Sequence, residues 1–368
     1  MTIRDVARRA GVSTTLVSFV LTGKRRVGEA RRRRVLQAID ELGYTPNAAA
    51  RGLRLRRTGL VACLIPYLNN PLYSLHAMGA EQELGQAGLL TVVASTRGAA
   101  AGTRAGLPAH GEPAARATWG GMSTATIFHT LRGSRVDGVL LFPYQEDVPQ
   151  VARLVGAGTP VVFLDREPVL TEPLPLTDAA VVDNEHGVYR ATEHLLELGH
   201  RRIGLVSLRA DSLSGAPRLA GYRRAFAERG LPVAQDCLAL GRGSVADGRE
   251  LTRGLLDLRP RITGLVVAVT NCTPGALQAI HHAGWRVPDD LSVVGYSHDG
   301  AFAWPAADLT AIRYPGVELG REAARLLLTR LQHPLAQRAL LGRQRVVLQP
   351  ELRPGSSTRP LAAETALP

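Results

Sequence analysis

Seven short apolar runs recur along the chain: GLVACLI (59–65), LLTVVA (89–94), VDGVLLF (136–142), PVVFL (160–164), IGLVS (203–207), TGLVVAV (263–269) and LSVVGYS (291–297). They are nearly continuous rather than alternating, which is the pattern of strands buried on both faces. Helical patterns fall between them, over Leu75–Ala87, Tyr189–Leu198, Ala220–Arg229, Gly248–Leu256 and Gly275–Ala283. Strands alternating with helices imply parallel sheets with helices on both faces. Such sheets bind ligands in a crevice at the carboxyl ends of their strands. The expected body is therefore α/β, from residue 59 to about 350.

The charge lies elsewhere. Residues 1–58 hold fourteen Lys/Arg against four Asp/Glu, so +10 of the net +12 sits in the first sixth of the 368-residue chain. A basic module precedes a nearly neutral body, and such a surface suits nucleic acid or an anionic membrane. No run of about 18 apolar residues exists to span a bilayer. The N-terminus lacks the apolar segment of a secretory signal, so a cytoplasmic protein is expected, nucleoid-associated when on DNA. Cys63, Cys237 and Cys272 are scattered, with neither a disulfide framework nor a metal spacing. No cofactor or metal is expected.

Within the basic module, Thr2 can cap a helix, with Asp5 three residues on as in a capping box. Ile3, Val6, Ala7 and Ala10 share one face, and Gly11 permits a tight left-handed turn. Ser13 caps a second helix, Thr14–Leu21, with Val17, Val20 and Leu21 inward. A third follows over Glu29–Leu42, with Val35, Leu36, Ile39 and Leu42 apolar and Gly43 as its stop. Two short helices joined by a glycine turn and braced by a third form a helix-turn-helix, whose second helix enters the DNA major groove. Thr14, Thr15 and Ser18 can bond phosphates or bases. Leu16 and Phe19 share one side, and either faces DNA or packs in the small core.

The stretches TIRDVARRAGVSTTLVSFVLTG and RRRRVLQAIDELGYTPNAAARGL resemble the DNA-binding headpiece of the LacI/GalR family of bacterial transcription regulators, over nearly all of residues 2–58. In that family the position of Phe19 commonly holds Arg or His that reads a base. Phenylalanine cannot make the bidentate contact of Arg to guanine, but can touch a thymine methyl. The expected preference at that base pair moves from guanine towards thymine. Residues 46–58 then resemble the family's hinge helix and linker. Asn47 to Leu53 spans about two turns, too short to be stable alone. The resemblance implies a helix that folds on DNA, pairs with its twin and wedges Leu53 into the minor groove, with Asn47, Arg51 and Arg54 also at the DNA. Glycine stands at 52 where the family usually has serine, costing a helix about 0.5–1 kcal/mol relative to alanine.

The body resembles the family's regulatory domain, which has the fold of periplasmic sugar-binding proteins, through NNPLYSLHAMGAEQELGQAGLL, VVDNEHGVYRATEHLLELGHRRIGLVS, RLAGYRRAFAERGL, GWRVPDDLSVVGY and LTAIRYP. The resemblance implies two lobes, one of about 60–164 plus 292–322, the other of about 166–290 plus 324–350, with an effector between them. Residues 98–121 break the match. Fourteen of these 24 are Gly or Ala, too little apolar surface to pack, so a mobile insertion is expected. Residues 354–368 read as a flexible tail with no leucine heptads.

Position by position, the resemblance implies an effector pocket of Tyr73, Asp165 at a lobe crossover, Arg218, Asn271 and Ser297. The family's Asn-Asp before a GAL helix is here AVTNCTPGAL, with Val269 and Thr270 at the polar positions in an ungapped reading. The family's GYDD is here GYSHD, so neutral Ser297 replaces an aspartate and the effector is expected to differ from the common family sugars.

Catalysis finds little support. Ser297, His298 and Asp299 are adjacent, and neighbours on extended chain point to alternate faces, so they form no triad. GRG at 241–243 lacks the third glycine of a dinucleotide fingerprint. The expected protein is a homodimeric DNA-binding regulator, more readily a repressor, on a pseudo-palindromic duplex and tuned by a small-molecule effector. Its rivals are a cytoplasmic solute-binding protein with an incidental basic arm, and a regulator without an effector.

Overall fold

The computed structural model describes residues 1–22, 25–44, 57–68, 70–96, 124–134, 136–297 and 308–361. The expected hinge residues Asn47, Arg51, Gly52, Leu53 and Arg54, the insertion 98–121, and His298 and Asp299 lie outside them. The chain divides into Met1–Thr58 and Gly59–Pro368.

The first unit holds α1 (Ile3–Ala10), α2 (Thr14–Thr22) and α3 (Glu29–Glu41). Its start is set by a complete capping box: Thr2 N donates to Asp5 Oδ2 at 2.9 Å and Asp5 N to Thr2 Oγ1 at 3.4 Å. Those bonds, the backbone one from Thr2 foremost, hold the Asp5 carboxyl below its ordinary range. Gly11 ends α1 at φ 64°, a conformation costly for any residue with a Cβ. Ser13 Oγ then accepts from Leu16 N at 3.2 Å, satisfying an otherwise open donor at the start of α2. The core is small: Val6, Ala7, Ala10, Val17, Val35 and Ala38 are buried, and Leu16, Val20, Leu21 and Ile39 pack around them. Arg9 of α1 reaches Glu41 of α3 at 2.6 Å. Leu36, expected on the apolar face, is instead 43% exposed, and Ala38 takes the inward place.

The second unit comprises β1 (Leu60–Ile65), α4 (Pro71–Gln86), β2 (Leu90–Ser95), α5 (Thr124–Ser134), β3 (Gly138–Leu141), α6 (Val148–Gly156), β4 (Val161–Asp165), β5 (Thr177–Val182), α7 (Asn184–Glu197), β6 (Ile203–Leu208), α8 (Gly215–Ala227), β7 (Leu238–Gly241), α9 (Val245–Leu256), β8 (Gly264–Val267), α10 (Cys272–His282), β9 (Ser292–Ser297), β10 (Thr310–Arg313), α11 (Gly316–Gln332), α12 (Leu335–Arg338), β11 (Arg345–Leu348) and β12 (Glu351–Arg353). One sheet runs β11-β5-β4-β3-β1-β2 and the other β12-β10-β9-β8-β6-β7. All pairings are parallel except β10 with β12. The first five strands of each sheet in chain order are arranged 2-1-3-4-5, which places a switch point beside β1 in one and β6 in the other. Apolar clusters fill both faces of each sheet, so the central strands are buried throughout.

This topology corrects the expected lobe limits. The first sheet does not end at Leu164: β5 and β11 also belong to it. The stretch 292–313 belongs to the second sheet, since β9 pairs with β8 and β10 with β9. The chain passes between sheets after β5, after β10 and after β11. Asp165 is therefore not at a crossing. Two charged side chains anchor the first lobe from within: Arg330 of α11 and Asp178 of β5 are 3% and 1% exposed and pair through both carboxylate oxygens. Close helix crossing does the rest. At Gly320 of α11 a Cβ would lie 2.1 Å from the carbonyl oxygen of His76 in α4, so no side chain fits.

The expected loose tail is also corrected as far as residue 361. Ser357 is 1% exposed, accepts from Thr310 N at 2.8 Å and donates to Val293 O at 2.6 Å. His200 bonds Arg359 O at 3.1 Å and Thr263 at 3.0 Å, and Leu361 N donates to Leu198 O. Residues 362–368 lie outside the described part.

Candidate functional site

A cavity enclosing about 360 Å³, its mouth included, opens at the carboxyl ends of four strands. The segment after β1 supplies Asn70, Leu72 and Tyr73; the end of β4 supplies Asp165 and Arg166. From the second sheet, Leu208, Ser214 and Arg218 follow β6, and Val269, Thr270 and Asn271 follow β8. In the second sheet the contributing strands β6 and β8 flank the switch point, where a crevice opens because neighbouring connections run to opposite faces; in the first sheet β1 at the switch point and β4, two strands away, contribute.

Four of the five expected pocket residues, Tyr73, Asp165, Arg218 and Asn271, line this one cavity. Ser297 does not; it ends β9, paired with Arg313, and residues 298–307 beyond it lie outside the described part. The ungapped polar positions, Val269 and Thr270, line the cavity beside Asn271. Asn271 occupies the cap position of α10 without a side-chain cap bond and lines the cavity.

Arg218, 7% exposed, donates Nε to Asn184 Oδ1 at 2.8 Å and lies 5.3 Å over the Tyr296 ring. Asn184 begins α7, where the chain first crosses between sheets. Asp165 has φ 75°, the left-handed region, which a non-glycine residue occupies only when its surroundings fix it. What fixes it is the Tyr314 hydroxyl, which donates to Oδ1, and Arg166, whose Nη1 stands 3.4 Å from Oδ2. Burial raises the Asp165 carboxyl above its ordinary pKa, against the pull of Arg166 and Arg218. Tyr314 lies at the second crossing, just before α11. Both expected charged residues are thus tied to chain crossings, although neither lies on one.

Sequence reasoning passed over Arg166. It is 9% exposed, donates Nε to Pro143 O at 2.9 Å, and lies 4.7 Å over the Tyr144 ring, while its Nη2 has no hydrogen-bond partner. Ser214, 3% exposed at the cap position of α8, likewise has no partner for Oγ. The only sequence sign of Arg166 was a charged pair, Asp165-Arg166, closing an apolar strand. Beneath Tyr73, Phe142 packs edge-on at 4.7 Å, and His76 sits between Phe142 and Tyr314. Burial drives His76 down to a pKa of about 3, so its ring is neutral, with Nδ1 2.6 Å from Leu72 O and Nε2 unpartnered.

In the headpiece, Thr14 and Thr15 on α2 are exposed, and Ser18 and Phe19 are half-buried. Leu16 is half-buried and packs on the core, whereas the Phe19 ring carries the Arg25 guanidinium 5.7 Å from its centroid. Arg25, Arg26 and Arg31 to Arg34 of the same unit are also exposed. Among the described residues no helix is long and apolar enough to cross a membrane, and no cluster of His, Cys, Asp or Glu could hold a metal ion.

Two family models match the chain: bacterial regulatory proteins of the lacI family over residues 2–47, and the periplasmic binding protein-like domain over 192–358. The transcriptional regulator CelR of Thermobifida fusca is 33% identical over 335 residues, covering 90% of this chain and 92% of CelR. The structure of the Lac repressor dimer bound to operator and the anti-inducer ONPF aligns at TM-score 0.76 and 26% identity, covering 98% of this chain and 99% of that one. A CelR–cellobiose complex aligns at TM-score 0.66 and 30% identity, covering 97% and 99%. These relatives regulate transcription and are not enzymes. A helix-turn-helix unit joined to a two-sheet periplasmic-binding-protein-like body, matched along nearly its whole length, places this chain in the lacI family of bacterial transcription regulators.

Proposed function

We propose that the protein is a repressor that binds a pseudo-palindromic operator as a dimer and responds to a small-molecule effector held in the cavity between its two sheets. The observation that carries the DNA half is the headpiece itself: a helix-turn-helix whose second helix exposes Thr14 and Thr15, in a unit that also exposes Arg25, Arg26 and Arg31 to Arg34. The Lac repressor dimer on its operator and the cellobiose complex of CelR supply the analogies for duplex and ligand. Exposed Leu90, Val92 and Val93 on edge strand β2, with Met78 on the adjoining α4, offer apolar surface to a second copy. Each headpiece reads one half-site through Thr14, Thr15, Leu16, Ser18 and Phe19. Asn47, Arg51, Leu53 and Arg54 engage the centre. Effector binding that favours one lobe arrangement alters hinge spacing and so DNA affinity, and by linkage DNA alters effector affinity equally.

Selection of duplexes from a random pool by the purified protein, followed by titration against salt, tests this reading. A palindromic site is expected, with log K falling against log salt at about 0.9 per phosphate contact. Phe19→Arg should move the preferred base at one symmetric position from thymine to guanine. Failure to retain any duplex at low ionic strength refutes the proposal, and an unchanged base preference refutes the role given to Phe19.

A further inference from the structure

Among the described residues the charge inside the cavity is unbalanced. Among the described lining residues there are two guanidinium groups, Arg166 and Arg218, and one carboxylate, Asp165. That carboxylate is already committed, accepting from Tyr314 and facing Arg166. Arg218 directly contacts only neutral partners, the Asn184 amide oxygen and the Tyr296 ring; Asp165 feels its charge, but the two form no ion pair. A buried cation without a counter-ion in contact is expensive, because it has left water and gained little opposite charge in return.

Three further features have the same sign. The helices α4, α8 and α10 all begin at the cavity, at Asn70, Ser214 and Asn271, and a helix N-terminus carries partial positive charge. Asn70 Oδ1 accepts from Leu72 N at α4 and Ser212 Oγ from Gly215 N at α8, whereas no side-chain bond caps α10 at Asn271. Independently, two buried polar atoms at the cavity wait for partners: Arg166 Nη2 and Ser214 Oγ. Nine-tenths-buried donors without acceptors are rare in native proteins and mark a place where a ligand completes the bonding.

We infer that the effector is a small polyhydroxylated molecule bearing one anionic group, a carboxylate or a phosphate, which docks on Arg218 with Arg166 alongside. The guanidinium fork matches the two oxygens of such a group. Thr270, Asn271 and Ser214 are placed for hydroxyls, and the Tyr73 ring with Leu208 supplies an apolar wall for a sugar face. The inference rests on the proposal that this cavity is the effector site.

The test uses the full-length protein on its selected operator duplex and matched pairs of probes: glucose against glucuronate, gluconate and glucose 6-phosphate, and cellobiose against cellobionate. Thermal shift and release of fluorescent operator are read together. One acid should bind at least tenfold more tightly than its neutral counterpart and weaken as ionic strength rises, and the carboxylate and phosphate arms identify which anion is used. Arg218→Gln should lose at least tenfold toward that acid, with Arg218→Lys intermediate. A neutral sugar that binds as well as its acid overturns the inference, as does silence of every acid while the operator is still held, or an acid affinity unmoved by Arg218→Gln. The wild-type salt dependence decides the matter even where a variant fails to fold. Loss of operator binding itself counts against the regulator reading instead, so the two failures separate.

Discussion

The headpiece and the body are stabilised in different ways. The headpiece buries as many alanines as valines, Ala7, Ala10 and Ala38 with Val6, Val17 and Val35, and among its described residues none of the fully buried side chains is aromatic. Its order depends on local devices: the Thr2–Asp5 box, Gly11, the Ser13 bond and the Arg9–Glu41 pair. The body buries Tyr73, Tyr222, Tyr296, Phe128, Phe142 and Phe163 between layers and adds a fully enclosed ion pair. Surface capping contributes about 1 kcal/mol per cap, whereas losing half of an enclosed charge pair costs several times that. The two parts should therefore fail separately, for different reasons and at different pH.

The sharpest way to break this contrast is Arg330→Met. It leaves the Asp178 carboxylate sealed without its cation, and unfolding of the body should become easier by about 3–5 kcal/mol. Urea denaturation followed by tryptophan fluorescence reports the body, since residues 1–58 contain no tryptophan. Amide exchange in α1 to α3 should stay unchanged; equal loss in both units would show that they do not melt independently.

Acid comes next. His76 has a folded pKa of about 3 against an ordinary 6.5, so the neutral ring is favoured in the fold. That contribution is complete above pH 6.5 and is lost as pH falls from 6.5 towards 3, at about 1.4 kcal/mol per unit. The headpiece has no histidine. Its shifted acids, Asp5 through bonds from Thr2 and Glu41 through bonds from Gln37 and Arg9, are held below 3.8 and 4.5, so their support persists until pH falls past those values. The body should thus begin to soften near pH 6 and the headpiece only near pH 4. His76→Leu should flatten the body's response between pH 6 and 4; a slope identical to wild type would place the titration elsewhere.

The smallest effect is Thr2→Ala. It removes the cap of α1 and should cost the headpiece about 1 kcal/mol, with the body's thermal midpoint unchanged. Weaker operator binding at 37 °C with unaltered body stability is the expected signature.

How much of this could be read from the residues follows the same divide. The headpiece was legible in full outline, because caps, glycine stops and a 3.6-residue pattern are local signals. The central strands of the body were legible as apolar runs. Strand β5 was not: Thr177, Asp178, Ala179 and Ala180 look like a loop, and Asp178 belongs in a core only because Arg330, far along the chain, meets it. Sheet membership was misread at β9 and β10 for a related reason, since parallel pairing is decided by partners distant in sequence. The tail looked loose because Gly355, Ser356 and Ser357 favour coil, yet their hydroxyls and amides bond β9 and β10. At the cavity, resemblance brought Tyr73, Asp165, Arg218 and Asn271 to one place, while Arg166 and Ser214 became visible only through the donors they leave unmatched.

The bonds from Arg218 to Asn184 and from Tyr314 to Asp165 have a pharmacological consequence. Each joins a cavity wall to a different passage of the chain between the sheets. A molecule that engages Arg218 alone disturbs one passage, and a molecule that also displaces Tyr314 from Asp165 disturbs two. Only unequal affinity for the two lobe arrangements moves their balance, however tightly a compound binds. Potency and efficacy are consequently set by different atoms of the same compound, and close chemical analogues can act as agonist and antagonist on one site.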